Sequence, residues 1–289
     1  MIYDKQKGII EIENVADFHP VHTFLCGQCF RWVENEDGSF DGVAYNKVIN
    51  VSLKENSLVI KNTSEEDFNS IWRHYLDLDR DYAPIKKILS HDTNLKKAIE
   101  YGYGIRILNQ QPWECLVSFI ISTQNQIPRI KKIVSSLSER FGQKLKIEDR
   151  EYYSFPDADA LKGITEDELS FLKAGYRAGY IVDAVNKVTS GEINLETISD
   201  MDYFSAKKEL MKIKGVGEKV ADCVLLFSYG KTEAFPIDVW VGRIMRSLYL
   251  SENASVGEIR QTSEKLFGKN AGIAQQYLFY YARDNKIQE

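Results

Sequence analysis

The chain has no surplus of positive charge. Lysine and arginine total 37 against 42 acidic residues, a formal net charge of −5 over 289 residues. A uniformly basic surface is excluded, and affinity for a polyanion would have to come from a local field. No run of eighteen apolar residues occurs, so no membrane span is expected. The opening Met-Ile-Tyr-Asp-Lys-Gln-Lys lacks an apolar signal core. An intracellular protein is the expectation, cytoplasmic and nucleoid-associated if the source is prokaryotic. Cysteine is sparse: Cys26, Cys29, Cys115 and Cys223. Cys26-Gly-Gln-Cys29 has metal or redox spacing, but no second pair and no nearby histidine completes a zinc site. The four histidines (His19, His22, His74, His91) lack ligand spacing, and neither a metal nor a cofactor is expected. Repeats, low-complexity tracts and long linkers are absent as well.

What is present is uneven. Positions 207–219 hold five lysines and two acids, followed by Arg243 and Arg246; Arg129, Lys131 and Lys132 form a second cluster. Acids gather elsewhere, at Glu65, Glu66 and Asp67 and at Asp77, Asp79 and Asp81. The asymmetry fits a one-sided basic face. Segments 9–14, 23–33, 40–45, 48–52 and 57–61 have strand composition, divided by turn residues at 34–39 and 54–57. Connections this short imply an antiparallel sheet. Ser64 followed by three acids predicts a helix running toward Leu76. From about residue 84 the pattern is helical, with a buried segment at 115–122. Further helices are predicted near 127–141, 166–172, 174–190, 201–213, 218–229, 238–249, 255–267 and 271–285. The fold class is α+β: an N-terminal antiparallel sheet domain over 1–100, then a helical body over 101–289 with a helix-hairpin-helix near 203–229.

The most informative stretch is Lys214-Gly215-Val216-Gly217-Glu218-Lys219, with Asp238 nineteen residues after Lys219. Gly215 and Gly217 permit a tight turn, and the N–H groups that open the second helix favour an anion. A phosphate grip, a lysine amine and a distant carboxylate point to chemistry on a nucleic acid. This segment resembles the helix-hairpin-helix of base-excision DNA glycosylases. In that family a lysine at the position of Lys219 marks bifunctional members, which remove the base and then nick the strand. With no cysteine after Cys223, the four-cysteine iron–sulfur loop of some members is excluded.

Four further segments resemble the 8-oxoguanine branch of the family, in family order. Gly27-Gln-Cys-Phe-Arg-Trp32 is similar to the segment whose glycine carbonyl accepts the N7–H of the oxidised base. Ser122-Thr-Gln-Asn-Gln-Ile-Pro-Arg129 resembles the loop that fills the gap left by the extruded base. The family's usual Asn is Gln124 here, which leaves open whether Gln124 or Asn125 enters the duplex. Arg129 falls where an arginine reads the orphaned cytosine. Gly175-Tyr-Arg-Ala178 looks like the segment whose tyrosine wedges into the stack while its arginine also contacts cytosine. That implies these roles for Tyr176 and Arg177. Ala274-Gln-Gln-Tyr-Leu-Phe279 resembles the helix that pairs Gln275 with the base edge and stacks Phe279 on its face. Cys223, one turn from Lys219, would take the other face. Trp240 stands where animal members carry a phosphate-contacting histidine.

The resemblance implies a bifunctional DNA glycosylase and AP lyase. It would excise 8-oxoguanine, preferably opposite cytosine, from double-stranded DNA. Lys219 would form a Schiff base, and Asp238 would stabilise positive charge on the sugar and cap a helix. A monomer is expected. Two rivals remain: an oxidised-pyrimidine glycosylase/lyase, against which Gly27 argues, and a non-catalytic DNA-binding hairpin protein, against which Lys219 with Asp238 argues.

Overall fold

Short β-branched runs between polar turns form a sheet. The computed structural model describes residues 1–285 and contains β1 (Ile2–Asp4), β2 (Ile9–Ile12), β3 (Trp32–Glu34), β4 (Phe40–Ala44), β5 (Lys47–Lys54) and β6 (Ser57–Lys61). They pair antiparallel in the order β1-β2-β6-β5-β4-β3. Helix α1 (Pro20–Phe24) lies before β3. After β6, Ser64 accepts the Asp67 N–H at 3.0 Å and starts α2 (Glu65–Asp67), which passes through a π turn at Phe68–Trp72 into α3 (Arg73–Tyr75). Phe68, Trp72 and Tyr75 share a core with Trp32, Phe40, Ile49 and Ile60.

The helical body comprises α4 (Tyr82–Leu89), α5 (Thr93–Tyr101), α6 (Pro112–Ser122), α7 (Ile127–Phe141), α8 (Arg177–Thr189), α9 (Tyr203–Leu210), α10 (Glu218–Tyr229), α11 (Val239–Tyr249), α12 (Val256–Phe267) and α13 (Ala271–Asp284). α6 begins with proline at its first helical position and is buried from Trp113 to Ile121. A helix apolar all round belongs in a core, and α7, α8 and α10 pack against this one. α4 and α5 contribute Leu89, Leu95 and Ala98 to this larger core. Among the described residues no helix is long and apolar enough to cross a membrane.

Several expectations fail for identifiable reasons. The strand expected over 23–33 reduces to β3; residues 20–24 are helical and 25–31 irregular. Its strand-like composition arises because the segment is wedged between two cores. Cys26 and Phe30 face the helical core, whereas Phe24, Cys29 and Trp32 face the sheet core. The helix expected over 166–172 is a 3-10 turn at Ser170–Leu172, ended by Lys173 at φ +50. The antiparallel pair β7 (Lys144–Ile147) and β8 (Arg150–Tyr153) and the strand β1 were not anticipated. Lys207 does not belong to a basic face: it is buried against Asp222, with Nζ 3.1 Å from the carboxylate.

Asp222 joins three helices. Its fully buried carboxylate accepts from Tyr203 Oη at 2.7 Å and pairs with Lys207 of α9 and, at 3.2 Å, Arg260 of α12. Burial pushes this carboxyl up from its ordinary value, and Lys207 is the strongest opposing influence. Removing one partner of a buried pair leaves the other uncompensated. Asp222→Ala should therefore lower unfolding stability by about 3 kcal/mol. Urea unfolding of the two proteins would show it; a change below about 1 kcal/mol would contradict the assigned role.

Candidate active site

The turn at 214–217 reverses the chain from α9 into α10. Asp183 accepts the Lys214 N–H at 2.7 Å, and the Ile213 carbonyl accepts from Val216 at 3.0 Å. Gly215 adopts φ +82, and a Cβ there would run into the Tyr180 ring. Gly217 caps α10 without a side chain, so the first-turn N–H groups stand open for an anion.

α10 presents Lys219, Cys223 and Phe227 on one face, one turn apart. The Lys219 amine donates to Ser122 Oγ at 3.1 Å and lies 5.1 Å from the centre of the Phe119 ring. Ser122 Oγ donates to the Phe119 carbonyl at 2.7 Å, leaving its lone pairs to the lysine. Asp238 caps α11 by accepting the Val241 N–H at 2.7 Å. Burial pushes the Cys223 thiol up to about 12, against the pull of Lys219, so it meets the site as a neutral group.

Gly27 reaches this face from the irregular segment wedged between the two cores. Its φ is +91, and a Cβ there would sit 3.1 Å from Phe279 Cε1. The completely buried Gln28 anchors it, donating to the Thr23 and Arg106 carbonyls at 2.8 Å each and accepting the Leu108 N–H at 2.9 Å. On α13, Gln275 and Phe279 share a face, and Gln275 Oε1 accepts from Gln276 Nε2 at 2.7 Å.

These residues meet in a cavity of about 50 Å³, lined by Gly27, Phe119, Lys219, Cys223, Phe227, Pro236, Asp238, Gln275, Gln276 and Phe279. That is room for one or two waters, each taking about 30 Å³. Phe279 packs close to Gly27 at one wall of this cavity. Outside is a cleft of about 850 Å³ walled by residues 122–126, Gly215, Gly217, Trp240, Arg243 and Arg246. Lys219 and Asp238 line both, so they stand where the cleft opens into the cavity. A separate groove of about 510 Å³ beside residues 12–17 and 78–82 holds none of them.

Across the cleft, Gln124 is exposed and held at φ +48. Tyr176 Oη donates to Gln124 Oε1 at 3.2 Å. Arg177, 5% exposed, donates to the Thr123, Gln124 and Ala174 carbonyls at 2.8, 2.9 and 3.1 Å and stacks 4.6 Å from the Tyr176 ring. Asn125 instead turns inward, donating to the Ile121 carbonyl at 3.0 Å. Arg129 is exposed and donates to the Lys173 carbonyl at 2.8 Å. Trp240 is 49% exposed, with the Arg243 guanidinium 5.4 Å from its ring.

The sequence-predicted residues thus fall into three groups: Lys219, Asp238, Gly27, Cys223, Gln275 and Phe279 at the cavity; Gln124, Tyr176, Arg177 and Arg129 at a projecting loop; Gly215, Gly217 and Trp240 along the cleft. Asn125 joins none. Ser122, Phe119, Gln28 and Gln276 were not singled out. The signal that could have found Gln28 is a polar residue inside an apolar stretch, between Cys26 and Phe30; Phe119, inside the apolar run of α6, gives no such signal.

The model of the HhH-GPD superfamily of base excision DNA repair proteins matches residues 117–269. The chain belongs to this superfamily. A second model, the N-terminal domain of 8-oxoguanine DNA glycosylase, matches residues 11–116. The 8-oxoguanine glycosylase/lyase of Clostridium acetobutylicum, solved with double-stranded DNA containing cytosine opposite 8-oxoguanine, is similar at 46% identity. The TM-score is 0.96 over 99% of this chain and 98% of that one. The N-glycosylase/DNA lyase of Saccharomyces cerevisiae is 32% identical, over 82% of this chain and 69% of the yeast protein. A probable N-glycosylase/DNA lyase of Methanothermobacter thermautotrophicus is 31% identical, over 66% and 68%. Endonuclease III, at 19% identity and a TM-score of 0.53, shares the fold.

Gly27→Ala separates two costs. A side chain at positive φ costs about 1–2 kcal/mol, and here the new Cβ also presses on Phe279. Gly38 has φ +78 and nothing within 4 Å of a Cβ. Gly27→Ala should lose more stability than Gly38→Ala in urea unfolding; equal losses would show that Phe279 does not press on Gly27.

Proposed function

We propose that this protein is a bifunctional DNA glycosylase and AP lyase that removes 8-oxoguanine from double-stranded DNA and then cuts the strand. The observation that carries this is the meeting of Lys219 and Asp238 with Gly27, Cys223, Gln275 and Phe279 around one cavity at the foot of a cleft. The N-terminal domain, proposed to span 1–100, supplies Gly27; the helical body, 101–289, supplies the rest. The protein acts as a monomer.

A base turned out of the duplex enters as Phe279 swings from Gly27, and is stacked between Phe279 and the neutral Cys223 thiol. The Gly27 carbonyl accepts the N7–H that distinguishes the oxidised base, and Gln275 pairs with its Watson–Crick edge. The Lys219 amine attacks C1′. The bond to the base breaks, its electron pair leaves with the base, and the base takes up a proton. Asp238 stabilises the positive charge that develops on the sugar. The sugar opens to an imine on Lys219, and loss of a C2′ proton then expels the 3′ phosphate. Gln124, exposed and buttressed by Tyr176, fills the gap, while Asn125 is held to α6. Gly215, Gly217 and Trp240 receive the phosphates of the strand.

Borohydride reduces the imine and fixes the protein to DNA. Wild-type protein should cross-link to an 8-oxoguanine duplex and not to a thymine-glycol duplex. Lys219→Gln should bind the lesion yet lose base release and cross-linking by roughly a thousandfold or more. Cross-linking at wild-type yield would disprove the role of Lys219.

Arg129 reads the orphaned cytosine. Arg177 contributes chiefly by holding the loop, because its Nε, Nη1 and Nη2 already serve three carbonyls. Single-turnover rates should favour cytosine over adenine opposite the lesion. Arg129→Ala should reduce that preference by about tenfold, one bidentate contact; an unchanged preference would remove Arg129 from this role.

A further inference from the structure

Gln276 is an unassigned amide in the base cavity. It is 3% exposed and lines the same space as Gly27, Lys219 and Phe279. Its Nε2 donates to Gln275 Oε1 at 2.7 Å, and its Oε1 is buried with no partner among the described residues. A buried acceptor left unpaired is costly, so such a group in a binding cavity points to a donor brought by the ligand. A water held here in the free protein would be displaced by an entering base, whose own donor must then take its place at this oxygen.

The cavity's acceptors match the donors of one class of base. Gly27 offers its carbonyl, Gln275 Oε1 keeps a lone pair beyond the one Gln276 uses, and Gln276 Oε1 is free. A guanine-type base oxidised at C8 carries three donor groups: N7–H, N1–H and the 2-amino group. We infer that Gln276 is a specificity-determining residue whose side-chain oxygen accepts from the 2-amino group, while its N–H fixes the orientation of the Gln275 amide. This rests on the glycosylase function proposed above. The two amides act as a locked pair, because the 2.7 Å contact requires one to donate and the other to accept.

The probe is 8-oxohypoxanthine, which lacks only the 2-amino group. Wild-type protein should excise 8-oxoguanine roughly ten- to a hundredfold faster than 8-oxohypoxanthine opposite cytosine, the effect of leaving one buried acceptor unpaired. Gln276→Leu removes the acceptor at similar volume and should bring that ratio close to one. A residue that only supported the fold would lower both rates together and leave the ratio unchanged, which would overturn the inference. Equal wild-type rates on the two bases would overturn it without any variant. Affinity for a duplex with a tetrahydrofuran abasic site reports the fold independently of the base. Should Gln276→Leu fall short there, Gln276→Met is read in its place. Failure of the wild type to excise 8-oxoguanine at all would instead refute the function proposed above.

Discussion

One buried amide sets the distance between the two halves of the site. Gln28 is bonded on every side within the core: to Thr23 and Arg106 through Nε2, to Leu108 through Oε1, and through its own carbonyl to Gln110 Nε2 at 2.7 Å. The Gln110 N–H in turn donates to the Phe227 carbonyl at 2.7 Å. Phe227 lies two turns beyond Lys219 on the same face of α10. Gly27, the residue before Gln28, is thereby tied through two hydrogen bonds to the helix that carries the lysine. Each group is buried, so breaking any link would strand a polar atom. A site assembled from two separate cores needs such a tie, because packing alone tolerates small slippage between cores.

The same tie explains what the sequence could and could not disclose. α10 was legible to the residue at both ends, since a glycine cap, an apolar face and a closing Gly230 all lie in local sequence. α7, α11, α12 and α13 were close for similar reasons. Residues 25–31 were not legible as irregular chain. Their apolar content reports burial between two cores, and burial looks the same whether a ladder or a side-chain amide satisfies the backbone. The cavity residues were legible as motifs. Their convergence was expected only through the family resemblance, because Gly27 and Lys219 are 192 positions apart and the link runs through Gln110, which carries no motif.

Charge behaves likewise. A net charge of −5 argued against an anion-binding surface, and the lysines at 207–219 argued for one. The structure divides these lysines by geometry. Lys207 is consumed by Asp222, Lys212 pairs with Glu209 at 2.7 Å, and Lys219 turns to the cavity mouth. The cleft's cationic side chains are Lys219, Arg243 and Arg246, and the open N–H groups of α10 strengthen the field there without adding net charge. A local field made partly of backbone dipoles is invisible to a count of side chains.

The projecting loop shows the same economy at a strained point. Gln124 holds a left-handed backbone conformation that costs a non-glycine residue about 1 kcal/mol or more. Arg177 offsets this by donating to the carbonyls on both sides of that residue's nitrogen, those of Thr123 and Gln124. Tyr176, stacked on the same guanidinium, steadies the Gln124 side chain from outside. Three side chains therefore act as one projecting body whose tip is an amide. Insertion into a base stack requires a body that stays extended without DNA, because ordering it on binding would subtract from the energy available to turn a base out. Arg177 keeps one N–H beyond these bonds, so a bidentate contact to cytosine would have to displace one of these carbonyls. Exposed Arg129, with one carbonyl bond, meets no such obstacle, so under the proposed function Arg129 is the better placed of the two arginines to read the opposite base.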